Sequence, residues 1–189
     1  MLTIRIGLSG KMSSGKSLVA RYLVEHYGFL ELAFAARLKE IATEMFNIDV
    51  AKKDEAGRSL LQQLADHMRK VDPNVWVRYV LRKIPPTGNV VISDVRFMNE
   101  FETLDRMGFA MVRMLMDRPT QEKVVTKTYP GLPLILLDDR SETELDTAPF
   151  YYYINNGAGV PLKGHTTPLP SVYEQVDMLM EQLGGHYDK

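Results

Sequence analysis

Cysteine is missing from this chain altogether, which excludes a disulfide framework and any thiolate metal site. Long apolar runs are missing too, and no stretch is long enough to span a bilayer. There is no basic tract: 23 basic and 24 acidic side chains leave a formal net charge of −1. The electrostatic footprint of a nucleic-acid binder is therefore absent, although a local basic cleft remains compatible with the composition. The four histidines show no ligand spacing, so no histidine metal centre is expected. Internal repeats and low-complexity segments are absent as well. An apolar strand opening at Leu2 leaves no room for a signal peptide, and the expectation is a soluble cytoplasmic protein. At 189 residues the chain suits a single domain with a sizeable core.

What is present begins at once. Residues 2–8 read as a short buried strand, residues 18–24 carry apolar side chains at helical spacing, and Gly10-Lys11-Met12-Ser13-Ser14-Gly15-Lys16-Ser17 lies between them. That octapeptide fits G-x-x-x-x-G-K-[ST] at every fixed position, in the strand–loop–helix context that a phosphate-binding loop requires. The glycines let backbone N–H groups curl around phosphate oxygens, and the helix N-terminus adds partial positive charge. Lys16 would reach the β- and γ-phosphates, and the Ser17 hydroxyl would ligate Mg²⁺. The chain is expected to bind a nucleoside triphosphate. A base-reading Asn-Lys-x-Asp motif is lacking, which speaks against a switch GTPase.

Further along, residues 28–34 predict a second strand and residues 35–46 an amphipathic helix. Residues 47–55 read as a loop and 58–70 as a helix. Asp72-Pro73 predicts another helix start, with Asp72 as N-cap and Pro73 at the first helical position. Val90-Val91-Ile92-Ser93 has the continuous apolar character of a central parallel strand. A helix over 100–107 and a strand over 109–115 follow. Residues 117–140 break the rhythm and read as an irregular, basic segment, in which the apolar Leu134–Leu137 has no evident place. Residues 150–154 predict a fifth strand, 157–170 a loop and 171–183 a closing helix. Strands alternating with helices indicate a three-layer α/β fold around a parallel sheet.

Ser93-Asp94-Val95-Arg96 ends the most apolar strand, at the sheet edge where ligands gather in open α/β folds. Asp94 would hold the Mg²⁺ water shell or accept a proton, and Arg96 would clamp an anionic substrate with its planar fork. Arg58, beside Gly57 and followed by Gln62, stands at a helix start where the dipole prefers acids, a conflict that a bound phosphate removes. Lys39 is a weaker candidate, equally suited to a solvated face. Arg118, Lys123, Lys127 and Arg140 would ride on a mobile arm that excludes water and stabilises transferred charge, pinned by Asp138 and Glu142. Asn155-Asn156-Gly157 would contact a base or simply form a turn. Trp76, Tyr79 and Tyr151–Tyr153 read as packing residues.

Taken in order, Gly10–Ser17, Gly57-Arg58-x-x-Leu61-Gln62, Asp72-Pro73-x-x-Trp76, Ile92-Ser93-Asp94-Val95-Arg96-Phe97-x-x-Glu100, Ser141-Glu142 and Ile154-Asn155-Asn156 resemble the phage-type deoxynucleoside monophosphate kinases. The resemblance implies a three-layer P-loop kinase fold, with a five-stranded parallel sheet, helices on both faces and a small lid. It implies a single domain over 1–189, an acceptor-binding region at about 34–75 and a lid at about 117–142. The implied activity is ATP-dependent, Mg²⁺-assisted phosphorylation of a deoxynucleoside monophosphate. Lys16, Asp94, Arg118 and Arg140 would be catalytic, with Ser17 and Asp94 on the metal, directly or through water. Gly10–Ser17, Leu18 and Asn156 would hold ATP. Lys39, Arg58, Gln62, Trp76, Arg96 and Glu100 would hold the acceptor. A monomer and a homodimer are both compatible with the sequence. Animal-type phosphomevalonate kinases share related patterns and provide an alternative acceptor. Dephospho-CoA kinase is a more distant relative of the same fold. Two positions depart from the family pattern: Ala65-Asp66 stands where Gly-Thr is usual, and Asp139 where a His commonly precedes the Ser-Glu pair. Both concern the acceptor side and lid. A non-catalytic nucleotide sensor would keep Gly10–Ser17 yet have no need of Arg58 and Arg96.

Overall fold

A run of apolar residues can form a central strand only if both of its faces are covered, and β1 (Arg5–Gly10) meets that condition. The computed structural model of the chain describes residues 3–48, 55–157 and 170–184. It contains one five-stranded parallel sheet in the order β2-β3-β1-β4-β5, in which β2 is Leu30–Leu32, β3 Val90–Val95, β4 Ala110–Leu115 and β5 Tyr152–Asn155. Ile6 of β1 lies opposite Val91 on one side and Ala110 on the other, and Met114 of β4 lies opposite Ile154.

Alternation along the strands decides what each sheet face meets. Ile4, Ile6 and Leu8 join Val91, Val112, Met114 and Ile154 in a core closed by α1 (Lys16–Tyr27) and α8 (Val172–Gln182). Gly7 points to the other face, against Met111 and against Leu104 of α5 (Met98–Arg106). Helices therefore cover both faces, as the alternating pattern predicts. Because the strands are parallel, β1, β3, β4 and β5 deliver Gly10, Arg96, Asp117 and Asn156 to one edge.

Residues 32–84 form a unit of their own. It holds α2 (Ala35–Phe46), α3 (Glu55–Val71) and α4 (Val75–Leu81), with α2 in contact with α3 and α3 with α4. Among its described residues, Phe34, Leu38, Ala42, Ala65, Trp76, Val77 and Val80 are the buried apolar ones.

Three sequence expectations are corrected. The segment 117–140 is not irregular: α6 (Arg118–Thr128) opens it, followed by a 3-10 turn at Leu134–Asp138 and α7 (Arg140–Thr143). Asp117 caps α6 by accepting the Thr120 N–H at 2.9 Å, Pro119 sits in its first turn, and the Leu134–Leu137 patch places Leu137 in the interior. Asp72 does not cap α4. Its carboxylate accepts the Asn74 N–H at 3.0 Å and its carbonyl the Val75 N–H at 3.1 Å, a turn that delays the helix to Val75. The second strand is shorter than expected, because Phe34 already has helical backbone angles before α2. Residues 49–54 and 158–169, within two expected loops, lie outside the described residues.

Candidate active site

Gly15 sits at φ +99°, where a side chain is strained, and ends the loop as the N-cap of α1. A Cβ there would meet the Asn156 amide nitrogen at 2.5 Å, and that nitrogen donates to the Ser14 carbonyl at 3.0 Å. The end of β5 is thus tied to the phosphate loop through the space that glycine leaves. Lys16 and Ser17 are the first two residues of α1. The Lys16 ammonium donates to the Gly10 carbonyl at 2.6 Å and the Lys11 carbonyl at 2.8 Å. Burial and the nearby Arg96 push its pKa down to about 7, while Glu142 and Asp94 oppose the shift.

The pairing of β1 with β3 is irregular at the point that matters. Gly7 faces Ile92 and Ser9 faces Val95, so β3 fits an extra residue where Ser93 and Asp94 lie, both half-buried. Bulges of this kind re-aim side chains at strand ends. Asp94 feels the charges of both Lys16 and Arg96. Arg96 follows at the strand end, pairs with Glu142 and reaches the Ser141 carbonyl at 3.3 Å. Burial alone would lower the Arg96 pKa, but Glu142 and then Asp94 hold the guanidinium above its ordinary value. Glu100 is 2% exposed, and its carboxylate accepts the N–H groups of Arg96 at 2.8 Å and Phe97 at 3.1 Å. It sets the direction in which Arg96 leaves the strand.

Arg118, the first residue of α6, donates to Asp138 at 2.7 and 3.2 Å and to Glu122 at 2.6 Å. Arg140, the first residue of α7, donates to Glu144 at 2.5 Å and lies over the Phe97 ring. Ser17 and Asp94 offer hard oxygen donors, the type that Mg²⁺ takes alongside phosphate oxygens and water. No three His, Cys, Asp or Glu side chains gather as a metal cage among the described residues. Lys39, Arg58, Gln62 and Trp76 belong to the unit at 32–84. There Lys39 and Gln62 are exposed, Arg58 is half-buried in the first turn of α3, and Trp76 is buried with no partner on its indole N–H.

Comparison with known proteins bears on this arrangement. No protein-family model matches the chain. An Acanthamoeba polyphaga mimivirus protein, provisionally named a deoxynucleotide monophosphate kinase, is 30% identical over 147 residues, covering 61% of this chain and 75% of its own. The chain belongs to the deoxynucleotide monophosphate kinase family. The chain is also similar to an uncharacterised protein, ORF77, of Ictalurid herpesvirus 1 (strain Auburn). It is 33% identical over 147 residues, covering 75% of this chain and 58% of its own. Solved structures show the same P-loop kinase fold. TT1252 from Thermus thermophilus superposes with a TM-score of 0.61 at 16% identity over 100% of both chains. A gluconokinase from Sinorhizobium meliloti 1021 gives 0.55 at 18% identity, over 96% of this chain and 95% of its own. A shikimate kinase from Bacteroides thetaiotaomicron gives 0.50 at 16% identity, over 96% and 98%.

Around the phosphate loop of this family member stand further side chains that the sequence did not single out. Arg113, in mid-β4 and 8% exposed, donates to Ser9 Oγ at 2.8 Å and to Asp146 at 2.6 Å. Asp146 also takes the Lys11 ammonium at 2.6 Å. Gln121, 2% exposed on α6, donates to the Met12 carbonyl at 3.1 Å. One signal was available: an arginine inside Met111-Val112-Arg113-Met114 is a charge on a central strand, and such a charge needs a partner. No helix among the described residues is long and apolar enough to cross a membrane.

Proposed function

We propose that the protein transfers the γ-phosphoryl group of ATP to a deoxynucleoside monophosphate, giving the diphosphate. The observation that carries this reading is the set of charges around Lys16: a P-loop ammonium with Asp94 and Arg96 in its field, at the shared end of β1 and β3. The 30% identity to the mimivirus kinase supports the choice of acceptor class.

In this reading Gly10–Ser17 and Leu18 hold the triphosphate, with Asn156 beside the loop. Lys16 exchanges the Gly10 and Lys11 carbonyls for phosphate oxygens, and the added negative charge keeps its ammonium protonated. Ser17 and Asp94 hold Mg²⁺, which supplies charge neutralisation on the transferring group. Asp94 also accepts the acceptor's proton or orients the attacking oxygen. Arg96 at the strand end is a ligand of the monophosphate, and Lys39, Arg58, Gln62 and Trp76, in the region at about 34–75, are assigned to acceptor binding. Glu100 acts on the acceptor through Arg96. The segment 117–142 serves as the lid, and Arg118 and Arg140 leave Asp138 and Glu144 to stabilise transferred charge.

The test is an acceptor screen. ADP formation from ATP and Mg²⁺ is measured with each deoxynucleoside monophosphate, with phosphomevalonate and with no acceptor. Turnover that depends on one or more deoxynucleoside monophosphates is expected. Turnover with phosphomevalonate alone would assign a different kinase, and ATP binding with no acceptor-dependent turnover would leave a nucleotide sensor.

A further inference from the structure

The chemistry proposed above has no task for Glu142, a carboxylate with only 2% of its side chain exposed. Its position is built rather than incidental. Asp139 caps α7, accepting the Ser141 N–H on its carboxylate at 2.8 Å and the Glu142 N–H on its carbonyl at 2.9 Å. This cap stands where the family pattern commonly has a histidine. The four-residue helix then aims Glu142 inward. One carboxylate oxygen accepts the Met12 N–H of the phosphate loop, and the other accepts the Arg96 guanidinium.

Both neighbours are held from elsewhere as well. Gln121 grips the Met12 carbonyl, so side chains from α6 and α7 take both backbone groups of one loop residue. Glu100 holds the backbone of Arg96 while Glu142 holds its head. A buried carboxylate is retained only with charged or hydrogen-bonding partners, and here the partners are one donor-loop amide and one arginine.

We propose that Glu142 is a positioning residue for phosphoryl transfer, bridging Met12 and Arg96 so that the arginine stays in register with the phosphate loop. The proposal rests on the reading of Arg96 as a ligand of the acceptor phosphate. Misplacing a substrate-holding group by a fraction of an ångström is costly because transfer demands in-line geometry.

Two substitutions separate the halves of the bridge. Glu142→Gln has a single side-chain oxygen: with that oxygen kept on the Met12 N–H, an uncharged NH2 group faces Arg96. Glu142→Asp keeps the charge on a shorter arm. Full-length variants would be assayed with ATP, Mg²⁺ and the monophosphate that the acceptor screen selects. Titration with a non-hydrolysable ATP analogue and melting temperature would be followed in parallel. Glu142→Gln is expected to lower kcat/KM for the monophosphate by about tenfold or more, with analogue affinity nearly unchanged. Glu142→Asp should recover part of the loss. In the Arg96→Ala background, Glu142→Gln should cost little more, since both changes remove the same contact.

Additive losses, or wild-type kinetics in folded Glu142→Gln while Arg96→Ala is impaired, overturn the bridging role and leave the Arg96 reading intact. Unchanged acceptor kinetics in Arg96→Ala would refute that reading, and the proposal would fall with it. If Glu142→Gln does not fold, the cycle is run with Glu142→Asp, and the same two outcomes decide.

Discussion

The Asn156 amide occupies the space beside Gly15, donating to the Ser14 carbonyl at 3.0 Å where a Cβ on Gly15 would come within 2.5 Å. Two constraints meet at one glycine: a positive φ and a neighbouring side chain. Gly15→Ala should therefore weaken ATP binding by about tenfold or more, since the left-handed backbone costs about 1–2 kcal/mol with a Cβ and the collision adds to it. Adding Asn156→Ala removes the collision but not the backbone strain, so the double variant should regain only part of the affinity. Titration with an ATP analogue checks both. Full recovery would show that space alone sets the glycine requirement.

Lys16 makes the ligand-free protein sensitive to pH. Its pKa is near 7 in the folded chain, against an ordinary 10.5. Between these values the unfolded chain binds more protons, so the stability contributed at this position rises with pH. Below about pH 7 the ammonium is charged in both states, and its burial cost is fully present. The stability difference between wild type and Lys16→Met, from denaturant unfolding at several pH values, should therefore shift in favour of wild type from pH 7 to 10. A flat difference would mean that Lys16 is solvated. Lys16→Met should also abolish transfer.

Asp94 lies at the bulge of β3, in the field of Lys16 and Arg96. Asp94→Asn should lower kcat by about a hundredfold or more if it acts on the proton or the metal in the transition state. The affinity for an ATP analogue should change far less. Steady-state rates over a range of Mg²⁺ concentrations provide the check, and unchanged kcat would place the essential acid elsewhere.

Arg58 and Arg96 are each expected to act on the acceptor rather than on ATP. A hydrogen bond to a charged group contributes about 1.5–3 kcal/mol, so Arg58→Ala and Arg96→Ala should each reduce kcat/KM for the monophosphate by about one to two decades. Their ATP titrations should overlay wild type. Loss of ATP affinity with acceptor KM untouched would move that arginine to the donor site or lid.

Much of this molecule was legible from local pattern. The phosphate loop, α2 at Ala35–Phe46 and the apolar core of β3 were readable because a turn, a helical face and a buried strand are each specified by neighbouring residues. The helix α6 was not read, because it presents few apolar residues: Gln121 and Val125 are its buried positions. Its Asp117 cap and Pro119 were nonetheless in view.

What the sequence determined by itself was the donor loop and the α/β alternation, since backbone torsion and side-chain periodicity act within a few residues. Tertiary structure alone decided the charge partners. Glu142 lies 130 positions from Met12 and 46 from Arg96, and Asp146 lies 135 from Lys11. Nothing near a carboxylate in the chain says which cation or amide it will meet. That is settled when parallel strands bring distant loops to one sheet edge, and when burial, as at Glu142, leaves a charge no alternative but the partner that arrives there.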